Sequence, residues 1–394
     1  MKDLPLGYKV ATASAGFKKT GRTDLGVIVS EPPAVCAGVF TTNVFKAAPV
    51  LVCQETLDLG LPVKAVIANS GLANACTGDE GIHNCRRSRE IVGEALGIFH
   101  GQIMPLSTGV IGPQFDMAKW EASMPEVQST LGKKGAEDFV RAFMTTDAFP
   151  KFASKELRLS SGTVKLTAMA KGAGMICPNM ATMLSVVLTD ASVEAEVWQD
   201  MFRRAVSLTF NRVSVDGDTS TNDTVLGLAN GASGITVQTQ DDLIAMQTAL
   251  TELMAAIAHM LVKDGEGATK VMHISVTGAK NDADAEKIAR TVGHSQLVKT
   301  AMYGKDANWG RIVAAVGRSG VAMRPEDVKV ALCGVELFSA GQPLPGDFDA
   351  KLKEPLEKQD IYVDIVVGKG DGTYTMLASD LSHDYVSLNA DYRS

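Results

Sequence analysis

Two hydrophobic periods run through this chain, and they divide it into short apolar stretches and longer amphipathic ones. Val27–Val29 and Val63–Ala68 are compact apolar runs that predict strands. His83–Ile98 repeats its apolar positions at helical spacing, with Arg86, Arg87, Arg89 and Glu90 on a polar face, and predicts a helix. Ala136–Met144 predicts a short helix. Val164–Met169 predicts a strand, followed by a Gly-rich turn and a strand-like run from Thr182 to Leu188. Asp190-Ala191-Ser192 offers caps for a helix over about Val193–Ser207, and Asp241-Asp242 can start another near Leu243–Val262. Strands are expected at Val271–Val276, Val328–Ala331 and Ile361–Val367, with a helix at Asp284–Val292. This alternation favours a mixed α/β fold. The polar stretch Gly278-Ala279-Lys280-Asn281-Asp282 suggests a division into residues 1–278 and a smaller α/β unit, 279–394.

Composition narrows the function classes. With 394 residues the chain can bury a large core, and its 45% hydrophobic and 21% charged content is that of a soluble globular protein. The net charge of −7 argues against nucleic acid or an anionic membrane as partner, since both require a basic footprint. Leu243–Val262 is interrupted by Gln247, Thr248, Thr251, Glu252 and His259, so a buried or amphipathic helix is expected there, not a membrane span. The first residues lack a signal-peptide core, and the six cysteines form no CxxC pair. Reduced thiols and a cytoplasmic location are therefore the expectation.

The most informative segment is Lys171-Gly172-Ala173-Gly174-Met175-Ile176-Cys177-Pro178-Asn179-Met180-Ala181-Thr182. Its glycines permit positive φ, and Pro178 restricts both itself and Cys177. A strained turn here could present the Thr182 hydroxyl to the Ala181 carbonyl carbon. An N-to-O acyl shift followed by hydrolysis would then free Thr182 as a new N-terminus, whose amine could serve as base for its own hydroxyl. On local chemistry alone, a Gly/Pro turn joining two strands accounts for the segment more simply. Likewise Thr108-Gly109 alone is an ordinary short turn, and Lys171 alone a solvated lysine. Asp264-Gly265-Glu266-Gly267 lacks the spacing of a phosphate-binding loop, and the Glu266 carboxylate suits an amine ligand better.

The segment resembles the self-cleavage site of the ornithine acetyltransferase family, the glutamate N-acetyltransferases of arginine biosynthesis. Further matches run along the whole chain: Gly38-Val39-Phe40-Thr41-Thr42-Asn43, Ala68-Asn69-Ser70-Gly71, Ser107-Thr108-Gly109-Val110-Ile111-Gly112, Met144-Thr145-Thr146-Asp147, Val215 to Asp223, Lys305 to Arg311, and Asn389-Ala390-Asp391-Tyr392. The resemblance implies the layered fold of that self-cleaving family. It implies cleavage between Ala181 and Thr182 into chains 1–181 and 182–394, assembled two of each. Thr182 is then the nucleophile, and Thr108 and Gly109 form the oxyanion hole. Thr145, Lys171, Thr182, Glu266, Asn389 and Ser394 contact substrate. The implied reaction is ping-pong transfer of acetyl from N2-acetylornithine to glutamate, with no metal or cofactor; acetyl-CoA is left open as a second donor.

Several positions depart from the family's usual residues. Ser394 stands where threonine is usual, Cys177 where alanine is frequent, Leu72 for an asparagine and Ala148 for a threonine. Cys177 is expected as a small buried filler, with a second nucleophile as the alternative. Two rival functions share some of these features. An N-terminal-nucleophile aminopeptidase or amidase would resolve the ester with water, and an uncleaved ligand-binding protein would use no nucleophile.

Overall fold

The computed structural model describes residues 3–18, 21–177 and 183–391. Fifteen strands occur among them: β1 Tyr8–Ala13, β2 Leu25–Phe40, β3 Val63–Leu72, β4 Ile103–Val110, β5 Lys151–Leu159, β6 Gly162–Lys171, β7 Leu184–Thr189, β8 Val213–Ser214, β9 Thr224–Ala229, β10 Val271–Ala279, β11 Lys329–Leu332, β12 Val335–Ser339, β13 Gln342–Pro343, β14 Asp360–Val366 and β15 Gly372–Ser379. The helices in chain order are α1 Ala48–Asp58, α2 Gly78–Leu96, α3 Met117–Thr130, α4 Ala136–Phe143, α5 Ala195–Leu208, α6 Gln240–Lys263, α7 Asp282–Gly293, α8 Gln296–Tyr303, α9 Trp309–Gly317, α10 Phe348–Glu357 and α11 His383–Asp391.

The strands form two sheets. The first runs β4-β3-β2-β9-β7-β6-β5, with β1 added on β2; the second runs β13-β12-β11-β14-β10-β15-β8. The fold is thus mixed α/β, as the alternating periods predict. Strand β7 is buried on both faces, which explains its continuous apolar run. Val187 packs into the core formed with Trp198 and Phe202 of α5 and with α6. Val186 and Leu188 pack on the opposite face against Phe139 and Phe143 of α4. Each such side chain stabilises the layer by roughly 1.5–3 kcal/mol. A further core, containing Ile288, Val316, Leu352 and Val363, joins the second sheet to its helices.

Several sequence expectations shift. β2 extends over 16 residues through Pro32 and Pro33, with its pairing register slipping between Val29 and Ala34. The slip accommodates the two prolines, which cannot donate to the ladder. Helix α2 begins five residues early, with Asp79 and Glu80 in its first turn, and ends at Gly97 with φ 67°. Asp190 does not cap α5. Glu194 does, through the Val197 amide, while buried Asp190 accepts from the amides of Leu6 and Lys165. Likewise Thr239, not Asp241 or Asp242, caps α6. By length and composition α6 could cross a membrane, but Met246, Leu250, Met254, Ile257 and Leu261 are buried in the first core. Gly278 lies inside β10, and the second sheet reaches back to β8.

Candidate active site

Thr108 and Gly109 lie at the end of β4, not in a separate turn. In the parallel ladder Thr108 pairs with Ser70 and Gly109 with Gly71. Gly109 has φ 130°, and a Cβ there would stand 2.3 Å from the Gly71 carbonyl carbon. Only glycine permits that approach. Just upstream, the Asn222 amide donates to the carbonyls of Ser107 and Ala73 at 2.9 and 2.6 Å, and the Ser107 hydroxyl donates to Asn69 at 2.7 Å. These buried bonds fix the backbone that leads into Thr108.

Lys171 closes β6 and is 3% exposed. Its Nζ donates to Thr108 Oγ1 at 3.2 Å. Burial pulls its pKa below the usual lysine value; Asp147 opposes the shift and Lys151 adds to it. In the antiparallel ladder Lys171 pairs with Leu184, two residues along the chain from Thr182. Ala181, Thr182 and Ser394 lie outside the described residues.

Beneath Lys171 sits a buried ion network. Lys151 Nζ donates to Asp147 Oδ1 at 2.6 Å and to Asp264 Oδ2 at 2.5 Å. Asp147 also accepts from the amides of Gly172 and Thr145 at 2.7 and 2.9 Å, and Asp264 accepts from the Ala148 amide. The network therefore ties the Thr145 loop, the turn after β6 and the C-terminus of α6 together. Burial alone would raise the Asp147 carboxyl, but the ammoniums of Lys171 and Lys151 outweigh it and hold the carboxyl at about 2. Asp264 is pushed up by burial, against the pull of Lys151.

Removing the shared cation tests this arrangement. Lys151→Met is expected to cost about 3–5 kcal/mol, because two buried carboxylates lose their partner. An unchanged urea midpoint would overturn the claim. The sign for Asp147 follows from its depressed pKa. Its contribution is complete above its unfolded pKa of about 3.9 and is lost as pH falls toward about 2. Asp147→Asn should therefore flatten that acid limb, whereas Asp264, with its raised pKa, works in the opposite sense.

Glu266 follows α6. Its amide donates to the Ala173 carbonyl, and its Oε2 accepts from Asn389 Nδ2 of α11 at 2.9 Å. A Cβ at Gly174 would lie 2.5 Å from that Oε2. Thr108, Gly109, Thr145, Lys171, Glu266 and Asn389 line one cavity of about 420 Å³ together with Asp216, Asp218 and Tyr385. Among the described lining residues, Lys171 is the cation and faces three carboxylates. Tyr385 is pushed up to about 12 by burial and by Asp216, Asp218 and Glu266.

Sequence reasoning assigned no role to Lys151, Asn222 or Asp223. Asp223 is buried; its Oδ1 accepts from the Met183 amide at 3.0 Å, and its Oδ2 has no hydrogen-bond partner among the described residues. Burial raises its carboxyl well above the usual range. Asn222 and Asp223 stood in a quoted motif, but a lone lysine opening a strand carries no signal of a partner 113 residues away.

Cys177 is buried, with Sγ 3.5 Å from His294 Nε2. Burial raises the thiol to about 11 and lowers the imidazole to about 4, so both are neutral near pH 7. This suits a filler, not a nucleophile. Iodoacetamide should leave Cys177 unmodified in the native protein, as peptide mass mapping would report; rapid alkylation there would reverse the assignment. Leu72 pairs with Val110 of β4, next to Gly109, and Ala148 contributes its amide to the ion network. His273 lies on β10 and does not line this cavity.

A model of the ArgJ family matches residues 9–394. The chain is 62% identical to the arginine biosynthesis bifunctional protein ArgJ of Nitratidesulfovibrio vulgaris over 394 residues, covering 100% of both. It is 42% identical to the ArgJ protein of Bacillus subtilis over 392 residues, covering 99% of this chain and 96% of the other. A crystal structure of the arginine biosynthesis bifunctional protein argJ from Bacillus halodurans is 36% identical. It covers 52% of this chain and 96% of that chain, with a TM-score of 0.49.

Proposed function

Because the chain belongs to the ArgJ family, an acyltransferase family of arginine biosynthesis, we propose that it moves the acetyl group of N2-acetylornithine to glutamate through Thr182. The observation that carries this reading is the convergence of Thr108, Gly109, Thr145, Lys171, Glu266 and Asn389 on one cavity from five separate parts of the chain.

Maturation comes first. The Thr182 hydroxyl attacks the Ala181 carbonyl carbon, the peptide C–N bond breaks, and water hydrolyses the resulting ester. Chains 1–181 and 182–394 result, and two of each assemble. In the mature enzyme the Thr182 amine takes the hydroxyl proton as the oxygen attacks the acetyl carbonyl. Negative charge develops on the carbonyl oxygen, where the Gly109 amide and Thr108 hydroxyl act as donors. Because Lys171 donates to Thr108 Oγ1, the hydroxyl keeps its own proton free for that oxygen. The C–N bond then breaks, and the proton held by the amine passes to ornithine's departing nitrogen. Glutamate's neutral amine attacks the acetyl ester next; N-acetylglutamate leaves and the hydroxyl recovers its proton.

Charge in the cavity suits amino-acid substrates. Lys171 can pair with a substrate carboxylate, and Glu266, Asp216 and Asp218 favour the side-chain ammonium of ornithine. The protein itself holds the acetyl group as an ester, so the reaction needs no metal or nucleotide; acetyl-CoA would load the same threonine. A cytoplasmic location belongs to the same proposal.

The test is product analysis. With acetylornithine as donor, N-acetylglutamate should form only when glutamate is present, and free acetate should stay minor. Acetate as the main product under both conditions would instead mark a hydrolase.

Activity should rise with pH as the Thr182 amine loses its charge. The reference pKa of such an amine is ~7.7–8.0, and removal from water would lower it. The rising limb of kcat/KM should therefore lie near or below ~8. A flat profile between pH 6 and 8.5 would remove the amine from the mechanism.

A further inference from the structure

Away from that cavity, three metal-ligating side chains converge from three elements. His259 comes from α6, His273 from β10 and Asp360 from the first position of β14. The two Nε2 atoms stand 2.6 and 2.7 Å from the same carboxylate oxygen, Asp360 Oδ1. The donor atoms all lie within 4.8 Å of one another. Asp360 is the ladder partner of Val271, two residues before His273, so the parallel pairing brings both side chains to one face of the sheet. Tyr362 stacks on the His273 ring with centroids 4.6 Å apart, limiting its rotation. The three side chains are 28–37% exposed, and the two histidines line a mainly apolar cleft of about 450 Å³.

We propose that His259, His273 and Asp360 form a binding site for a divalent transition-metal ion of the zinc type, clipping α6 to the second sheet. Zinc takes imidazole nitrogen at about 2.0–2.1 Å and carboxylate oxygen at about 2.0–2.2 Å, which separates tetrahedral donors by about 3.3 Å. The two nitrogen–oxygen separations must therefore widen by about 0.6–0.7 Å, a shift within reach of side-chain torsions. Each neutral imidazole offers Nε2 when its proton resides on Nδ1. Imidazole with carboxylate suits zinc, nickel and copper better than magnesium or calcium. Partial exposure leaves a fourth position for water from the cleft. Since α6 packs in the first core and β10 and β14 carry the second, the ion would tie two layers together.

The full-length protein, stripped with chelator and dialysed, is titrated with Co2+ and then Zn2+. The expected result is one ion per chain, the visible absorption of tetrahedral Co2+, its loss on adding Zn2+, and a higher melting temperature with Zn2+. In H259Q/H273Q, whose amides can still hydrogen-bond Asp360, affinity should fall by more than about 100-fold, beyond the 10–100-fold cost of losing an outer-shell partner. Asp360→Asn should lose the Zn2+-dependent melting shift. Far-UV circular dichroism and the urea midpoint report the fold of each variant, and His273→Gln alone replaces the double variant if that one unfolds. Absence of binding in the unaltered protein, or equal binding in the folded variants, overturns the site.

Discussion

Replacing Thr182 by alanine is expected to leave one chain of 394 residues and to abolish acetyl transfer. Both effects have one cause: the hydroxyl that would start the acyl shift is the hydroxyl that would accept the acetyl group. Thr182→Ser keeps the oxygen and should still yield two chains near half size. The cavity should survive either change, because Thr108, Lys171, Glu266 and Asn389 are held by their own strands, loops and helix. Thr182→Ala should therefore still bind acetylornithine in calorimetry while forming no acetyl-enzyme. Intact mass spectrometry gives the outcome directly. Two fragments from Thr182→Ala would mean that cleavage begins at another side chain. A second variant, processed to leave one extra residue before Thr182, keeps the hydroxyl but removes the free amine beside it. Normal acetyl-enzyme formation by that variant would send the search for the base to Glu266 or another side chain lining the cavity.

Thr108→Ala should lower kcat by about 10²–10³-fold, equivalent to roughly 2.7–4 kcal/mol, the range for loss of one oxyanion donor. KM should change little, since on the proposed mechanism the donor acts where charge develops. The fold should tolerate the change because the backbone at this point is held from behind, through Ser107, Asn69 and Asn222. Thr108→Ser should recover most of the rate. An effect confined to KM would instead put Thr108 in ground-state binding. Lys171→Met should alter both parameters, because the ammonium proposed to pair with the substrate carboxylate also donates to the Thr108 hydroxyl. Gly109 is a different case. Alanine there drives a methyl to within 2.3 Å of the Gly71 carbonyl carbon, so the strand pair itself must part.

What the sequence by itself determined is what depends on neighbouring residues. The continuous apolar run of β7, the amphipathic period of α2 and the helical stretch of α6 are local patterns, and each appears where the pattern lies. That Lys171, Thr108-Gly109 and Glu266 belong to one site was legible only through the family resemblance, and the fold does bring them to one cavity. The tertiary structure decided which groups meet. Nothing near Lys151 indicates that its ammonium ends between Asp147 and Asp264, because the second partner lies 113 residues away. Nor does a cap-like Asp190 reveal that its carboxylate serves the amides of Leu6 and Lys165 instead of α5. In both cases an acidic group is buried, and burial makes an unpaired charge so costly that the fold must bring a donor to it. That donor is chosen by strand order and layer packing, and so by contacts distant in sequence.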